Sequence, residues 1–204
     1  AINLARLGQH NESVPYYEKA IELDPKDAAT FRNFGLSLSS INDHQKAVAV
    51  FTKSIELNAE DFIAFRNCGI SLASLERHEE ALAKYQRAVE LEPKDPIAFK
   101  YFGLSLATLN RHDEAISKFE TSLSLNAKDA VTLKNAAFSY DALAKIPQAI
   151  EKYEKAIELE PQDHILFKNA GNCYLKESKY KEAIDKYQKA IELQPQDAES
   201  IRNF

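Results

Sequence analysis

The fold is decided by residues 62–95, which read FIAFRNCGISLASLERHEEALAKYQRAVELEPKD. This stretch is one period of a repeat, because its glycine, Gly69, has counterparts one period away at Gly35 and Gly103 and three periods away at Gly171. An alanine, an aromatic residue and an aspartate recur in the same register. These three columns are Ala47, Ala81, Ala115, Ala149 and Ala183; Tyr17, Phe51, Tyr85, Phe119, Tyr153 and Tyr187; and Asp27, Asp61, Asp95, Asp129, Asp163 and Asp197. Four columns in one register predict a repeat protein.

We number the repeat so that the glycine is position 8 and the last aspartate is position 34. Five complete repeats then follow one another: residues 28–61, 62–95, 96–129, 130–163 and 164–197. Residues 1–27 form a partial repeat, positions 8–34, and residues 198–204 form a partial first helix, positions 1–7. The sequence therefore predicts a single solenoid over residues 1–204.

Each repeat is expected to form two helices joined by a turn. Apolar residues recur at helical spacing, as in Phe31, Phe34 and Leu38. The aspartate at position 34 is a good N-cap for the helix that follows it. Position 15, often glycine or asparagine, is suited to the left-handed conformation that ends a helix, and proline at position 32 follows the second helix in four repeats. No strand-like alternation is present, so the predicted fold class is all-α, an α-α solenoid of stacked helix-turn-helix units.

Composition excludes several classes of function. The chain has 26 basic and 31 acidic residues, with a net charge of −5, which is unlike a typical nucleic-acid-binding module. No apolar run approaches the length of roughly 18 residues that a membrane-spanning helix needs, so no membrane insertion is expected. No phosphate-binding loop, HExxH motif or nucleophile elbow is present, so we predict no catalytic residue and no cofactor. The chain has no methionine, so we expect it to begin inside a longer gene product.

The positions of the histidines and cysteines in the sequence do not predict a metal site. Position 17 is a histidine in four repeats: His10, His44, His78 and His112. Successive histidines of this column are two helices apart, and Zn–N bonds are only about 2.0–2.1 Å long, so one ion cannot bind two of them. A helix-packing surface is the expected role of this column. The two cysteines lie three repeats apart and are expected to be free buried thiols. Free thiols favour a cytoplasmic location, which the sequence otherwise leaves unknown.

These columns resemble the tetratricopeptide repeat (TPR) family. The family pattern of large residue, glycine, large residue, alanine, aromatic, alanine and proline is matched by Phe65, Gly69, Leu72, Ala81, Tyr85, Ala88 and Pro93. The match covers the whole chain, with departures: the usual tryptophan at position 4 is absent, and one repeat has Ala137 in place of glycine and Ile146 at position 17. The resemblance implies a right-handed superhelix whose concave groove is lined by the first helices, around positions 2, 5, 6, 9, 12 and 13.

Three ladders are predicted to line that groove. Position 5 is basic six times: Arg32, Arg66, Lys100, Lys134, Lys168 and Arg202. Position 6 is an amide in five cases out of six: Asn33, Asn67, Tyr101, Asn135, Asn169 and Asn203. Positions 2 and 9 are mostly apolar, with Asn172 at position 9 of the last complete repeat.

An asparagine can both donate and accept hydrogen bonds, so a column of amides can hold the main chain of an extended peptide. This arrangement is similar to the asparagine ladder of the TPR portion of protein O-GlcNAc transferases. The basic column would favour acidic side chains or a terminal carboxylate. We predict a peptide site at Arg32, Asn33, Arg66, Asn67, Lys100, Tyr101, Lys134, Asn135, Lys168, Asn169 and Asn172. Ordinary solvated residues, typical of the family, are the alternative interpretation.

A second resemblance concerns the carboxylate clamp with which some TPR domains hold acidic C-termini. Lys168, Asn172 and Asn203 match its first three members in residue type and spacing.

The leading prediction is a non-catalytic scaffold that binds a protein or an extended, acidic or C-terminal peptide. One alternative is the substrate-recruiting arm of a larger enzyme, such as a glycosyltransferase. Another is a module that assembles head to tail, since core-type residues lie in the two incomplete helices: Ile2, Leu4, Ile201 and Phe204. Such a heterologous contact does not close on itself and would produce filaments.

Overall fold

The computed structural model describes residues 1–204 and contains thirteen α-helices and no strand. The helices are α1 (Ile2–Arg6), α2 (His10–Leu23), α3 (Ala28–Ser40), α4 (His44–Leu57), α5 (Phe62–Ser74), α6 (His78–Leu91), α7 (Pro96–Thr108), α8 (His112–Leu125), α9 (Ala130–Ala142), α10 (Ile146–Leu159), α11 (His164–Lys176), α12 (Tyr180–Leu193) and α13 (Ala198–Asn203). Every complete repeat thus supplies a first and a second helix, which confirms the predicted all-α fold class.

The helices form two compact units, residues 1–105 and residues 106–204, with the boundary inside α7. In the first unit, α3 and α5 pack against their own second helices, α4 and α6, and α4 also packs against α5. In the second unit, α9 and α11 pair with α10 and α12 in the same way, and α10 packs against α11. Each unit therefore shows the stacking of helix pairs that buries the core of a solenoid.

The aspartates at position 34 cap the first helices, as the sequence predicts. In α5, the Asp61 carboxylate accepts a hydrogen bond from the Ala64 N–H at 3.1 Å. The same arrangement recurs at the N-termini of four other first helices: Asp27 to Ala29, Asp95 to Ile97, Asp129 to Thr132, and Asp163 to Ile165. Asp197, before the short α13, instead accepts from the Ser200 hydroxyl at 2.6 Å. One residue type at one position thus starts five helices.

The first helices end in a left-handed residue at position 15 in every repeat. Asn42 has φ of 62°, and the Asp43 N–H after it donates to the Leu38 carbonyl at 2.9 Å, which closes the helix end. Glu76 and Ala144 adopt the same conformation, with φ of 61° and 56°, although their side chains do not favour it. The geometry is therefore imposed by the repeat and not by residue type alone.

The core of each repeat is built where the first helix crosses the second. A Cβ added at Gly35 would lie 2.6 Å from Cε1 of Phe51, and one at Gly69 would lie 2.6 Å from Cε1 of Tyr85. Both rings are fully buried. Glycine at position 8 therefore lets the aromatic ring at position 24 lie directly against the helix backbone, as the sequence predicts for a close crossing.

Candidate functional site

The predicted groove positions lie along one face of each first helix, which we call the groove face. In the second unit, Val131 and Phe138 on α9 are 43% and 53% exposed, and Asn135 lies between them at helical spacing. On α11, Ile165 is 41% exposed and is followed by Asn169. These exposed apolar side chains and the amides beside them can offer contacts to a bound chain.

The basic column at position 5 is paired with acidic residues inside the chain. Each pair joins position 5 to the aspartate at position 34 of the same repeat, which is also the cap of the following first helix. The nitrogen–oxygen distances are 2.9 Å for Arg32 and Asp61, 2.7 Å for Arg66 and Asp95, 3.1 Å for Lys134 and Asp163, and 3.7 Å for Lys168 and Asp197. The Asp61 and Asp95 side chains are only 5% and 6% exposed. These cations therefore link neighbouring repeats, and much of their charge is neutralised where they lie.

The amide column is partly engaged by its own helices. The Asn67 side-chain N–H donates to the Ile63 carbonyl, and the Asn135 side-chain N–H donates to the Val131 carbonyl, both at 2.7 Å. These bonds use one amide hydrogen and hold the side chain in place. The carbonyl oxygen and the second hydrogen of each amide stay available to a ligand.

The last groove positions of the second unit hold an internal carboxylate. Glu199 lies 3.2 Å from the Lys168 ammonium and accepts a hydrogen bond from the Asn172 amide at 3.0 Å. The bonds from Asn172 and then Lys168 hold the pKa of Glu199 below its ordinary value. The Asn203 side-chain amide donates to the side-chain oxygen (Oδ1) of Asn172 at 3.3 Å. The three residues that match the carboxylate clamp thus lie together, with Glu199 in contact with two of them.

The break in the amide column, Tyr101, belongs to α7 in the first unit. The Lys100 ammonium lies 5.6 Å from the centre of the Tyr101 ring, and Ile97 on the same helix is 42% exposed. A ring and an aliphatic side chain thus occupy this part of the groove face.

Two of the four histidines in the column lie against serines at position 10 of the following repeat. Nδ1 of His10 lies 3.5 Å from the Ser37 hydroxyl, and Nδ1 of His78 lies 3.4 Å from the Ser105 hydroxyl. The chain contains no group of three or more potential ligands placed to hold a metal ion. The thiols Cys68 and Cys173 are buried and unpaired, and burial raises the pKa of Cys173 to about 12, with a further contribution from Asp141.

A cavity of about 360 Å³ opens between α1 and α3 in the first unit. Its lining includes the groove residues Arg32, Asn33 and Leu36, together with Tyr17 and Arg6. Arg6 occupies position 13, which is Ser40, Ser74 and Thr108 in the next three repeats. Position 13 is one of the predicted groove positions, but Arg6 is not among the predicted site residues. Position 13 is also Ala142 and a second cation, Lys176, in the last two complete repeats, and Lys176 pairs with Asp141, so the residue type alone does not identify Arg6.

The fold and these periodic contacts define a helical-repeat protein. Sequence models described as tetratricopeptide repeat match residues 3–27, 32–96, 66–130 and 165–197, which is more than half of the chain. The chain therefore belongs to the tetratricopeptide repeat family. None of its helices combines the length and apolar character needed to cross a membrane.

Solved structures show the same fold at low sequence identity. YrrB, described as a TPR protein with an unusual peptide-binding site, is 24% identical, with 91% of this chain and 96% of that chain covered and a TM-score of 0.82. PilF of Pseudomonas aeruginosa is 18% identical, with coverages of 98% and 91% and a TM-score of 0.82. MamA of Desulfovibrio magneticus RS-1 is 21% identical, with coverages of 84% and 97% and a TM-score of 0.77. Curated proteins gave no significant sequence match.

Proposed function

We propose that this protein is a non-catalytic interaction scaffold whose groove faces bind an extended peptide segment of a partner protein. The observation that carries the proposal is the alternation of apolar and amide side chains along α9 and α11. Val131, Phe138 and Ile165 are each more than 40% exposed, and Asn135 and Asn169 lie close to them on the same helices. Apolar side chains supply buried area on binding, and the amides supply hydrogen bonds to a main chain.

The contacts of the amides support a role in main-chain binding. Because Asn67 and Asn135 each donate to a carbonyl of their own helix, their side chains are held in one orientation before any ligand arrives. A preorganised donor and acceptor loses less entropy on binding than a mobile one. The structural neighbour YrrB is described as having a peptide-binding site, which supports a peptide as the ligand of this chain.

The experiment is selection of binders from a random dodecapeptide library, followed by affinity measurements on synthetic peptides. The variant Asn67→Ala/Asn135→Ala/Asn169→Ala is expected to bind the selected peptides about tenfold or more weakly, because each lost hydrogen bond contributes about 0.5–1.5 kcal/mol. The matched control removes three amides from second helices: Gln45→Ala/Gln148→Ala/Gln188→Ala. Equal affinity of the two triple variants would contradict main-chain binding by the amide column.

A second proposal is end-to-end association between copies of this chain. Ile201 and Phe204 are 52% and 57% exposed, whereas Phe31 and Phe167, at the same position as Ile201 in complete repeats, are 8% and 7% exposed. A cavity of about 550 Å³ beside α1 is lined by Ala20 and Tyr17, and a second copy could place its residues 198–204 there. Sedimentation equilibrium is expected to show concentration-dependent association that Ile201→Asp abolishes, and a monomer at all concentrations would contradict the proposal.

A further inference from the structure

We propose that the cavity between α1 and α3 is a carboxylate-binding site, and that Arg6 binds an acidic group of the peptide held in the groove. This inference rests on the proposed function and names the chemistry that it selects. The cavity has a volume of about 360 Å³, within the range of about 300–1,000 Å³ that is typical of ligand sites. Leu36 and Tyr17 contribute apolar surface, and Arg6, Arg32 and Asn33 contribute hydrogen-bond donors.

Charge pairing distinguishes Arg6 from the basic column. Arg32 and Arg66 in this unit already donate to Asp61 and Asp95 at 2.9 Å and 2.7 Å, so a ligand carboxylate would have to compete with a nearly buried aspartate. Arg6 is exposed and makes no ion pair or side-chain hydrogen bond. An unpaired guanidinium can bind a carboxylate through two parallel hydrogen bonds without first breaking an internal pair. Selectivity for acidic peptides is therefore expected at Arg6, and not evenly along the column.

The second unit provides an internal example of this chemistry. Lys168 lies on the groove face of α11, and its ammonium is 3.2 Å from the carboxylate of Glu199 in α13. The Asn172 side chain donates a hydrogen bond to the same carboxylate. A groove lysine and a groove amide thus already hold a carboxylate together in this molecule. The lining of the cavity in the first unit also includes a cation and an amide, Arg6 and Asn33, and it includes no acidic residue.

Peptides selected from the random dodecapeptide library test the site. We expect enrichment of aspartate or glutamate, and we expect replacement of the enriched acid by its amide to weaken binding about tenfold. Arg6→Glu should remove this preference and should favour peptides in which the acid is replaced by lysine. Lys26→Glu is the matched control, because Lys26 is exposed, makes no ion pair or side-chain hydrogen bond and lies outside the cavity lining, so the same charge change should leave the preference intact. Circular dichroism checks that both variants fold.

The outcomes separate the site from the function on which it rests. Peptides with free and amidated C-termini distinguish a terminal carboxylate from an acidic side chain, and a preference for either source supports the site. Binding that is lost in the triple asparagine variant but is the same in Arg6→Glu and Lys26→Glu overturns the carboxylate site and leaves the proposed function standing. A library that yields no binder to the unmodified protein overturns both.

Discussion

At the scale of single residues, the closest packing lies between position 8 and the ring at position 24. Gly69 has no room for a Cβ, because the buried ring of Tyr85 lies against its backbone. Gly171 is in the same situation, with Cε1 of Tyr187 2.8 Å from the place of a Cβ. Because interiors are packed at crystal-like density, a side chain here must displace a ring that has no free space beside it.

Gly69→Val is therefore expected to lower the free energy of unfolding by about 1–3 kcal/mol through overpacking. Urea denaturation followed by circular dichroism measures the change. Ser74→Val is the control, since Ser74 is exposed on the same helix and the new side chain meets solvent. Its effect is expected to stay within about 0.5 kcal/mol. Equal stability of Gly69→Val and the unmodified protein would show that the ring moves aside at little cost.

At the scale of helices, one aspartate serves two neighbouring repeats. Asp61 caps α5 through the Ala64 N–H and also accepts a hydrogen bond from Arg32 of α3 at 2.9 Å. The cap was predicted from the sequence, because an N-cap is a local feature. The ion pair was not, because its two partners lie near opposite ends of a repeat and only the packing of α3 against α5 brings them together. The basic column is thus part of the connection between repeats.

Two substitutions at Asp61 separate these roles. Asp61→Asn retains the cap and loses the charged partner of Arg32, so a loss of about 1.5–3 kcal/mol in unfolding free energy is expected. Asp61→Ala also loses the cap, and its expected loss is larger by about 1 kcal/mol.

The control for the cap alone is Asp43→Ala in α4. Asp43 caps α4 through the Lys46 N–H at 3.2 Å, and its ion pair with the same lysine is largely exposed. Its expected cost is therefore about 1 kcal/mol, because exposed ion pairs contribute little. Thermal or urea unfolding measures all three variants, and an Asp61→Asn protein as stable as the unmodified one would refute the linking role.

At the scale of the whole molecule, the second unit repeats a three-residue network between its helix pairs. The Tyr140 hydroxyl donates to Glu120 at 3.0 Å, and the Lys152 ammonium binds the same carboxylate at 2.7 Å. One repeat later, Tyr174, Glu154 and Lys186 make the same contacts at 2.9 Å and 2.7 Å. Burial, and next the hydrogen bond to the glutamate, raises the pKa of both tyrosines to about 12.

Alkaline pH is therefore expected to destabilise this unit. A phenol with a pKa of about 12 in the folded chain and about 10 in the unfolded chain contributes stability below pH 10, and that stability is lost as the pH rises towards 12. The variant Tyr140→Phe/Tyr174→Phe should lose less stability over that range than the unmodified protein. Tyr16→Phe is the control, because Tyr16 is 60% exposed. Chemical denaturation at several pH values, with phenolate absorbance as a second signal, measures the difference, and equal slopes would refute the prediction.

The groove was only partly predictable from the sequence. The positions of Asn135, Phe138 and Ile165 on exposed helix faces follow from the repeat register and from helical periodicity. Both can be read from the sequence alone. The engagement of Asn135 by its own helix and of Lys168 by Glu199 depends on side-chain directions and on packing between helices. The family resemblance supplied groove positions but no partners for the charges that occupy them.

The sequence by itself determined the repeat length, the two-helix unit, the caps and the small residue at each crossing, because all of these depend on residues close together or on strict periodicity. Only the tertiary structure decided which charges are available to a ligand. Arg32 and Arg66 occupy a predicted groove position, and the sequence suggests that both are available to a ligand. In the folded chain, each is paired with the aspartate at the far end of its own repeat. Arg6, less conspicuous in the sequence, stays unpaired beside a cavity. The physical reason is that an ion pair depends on the distance between side chains in space, which the folding of one repeat against the next sets.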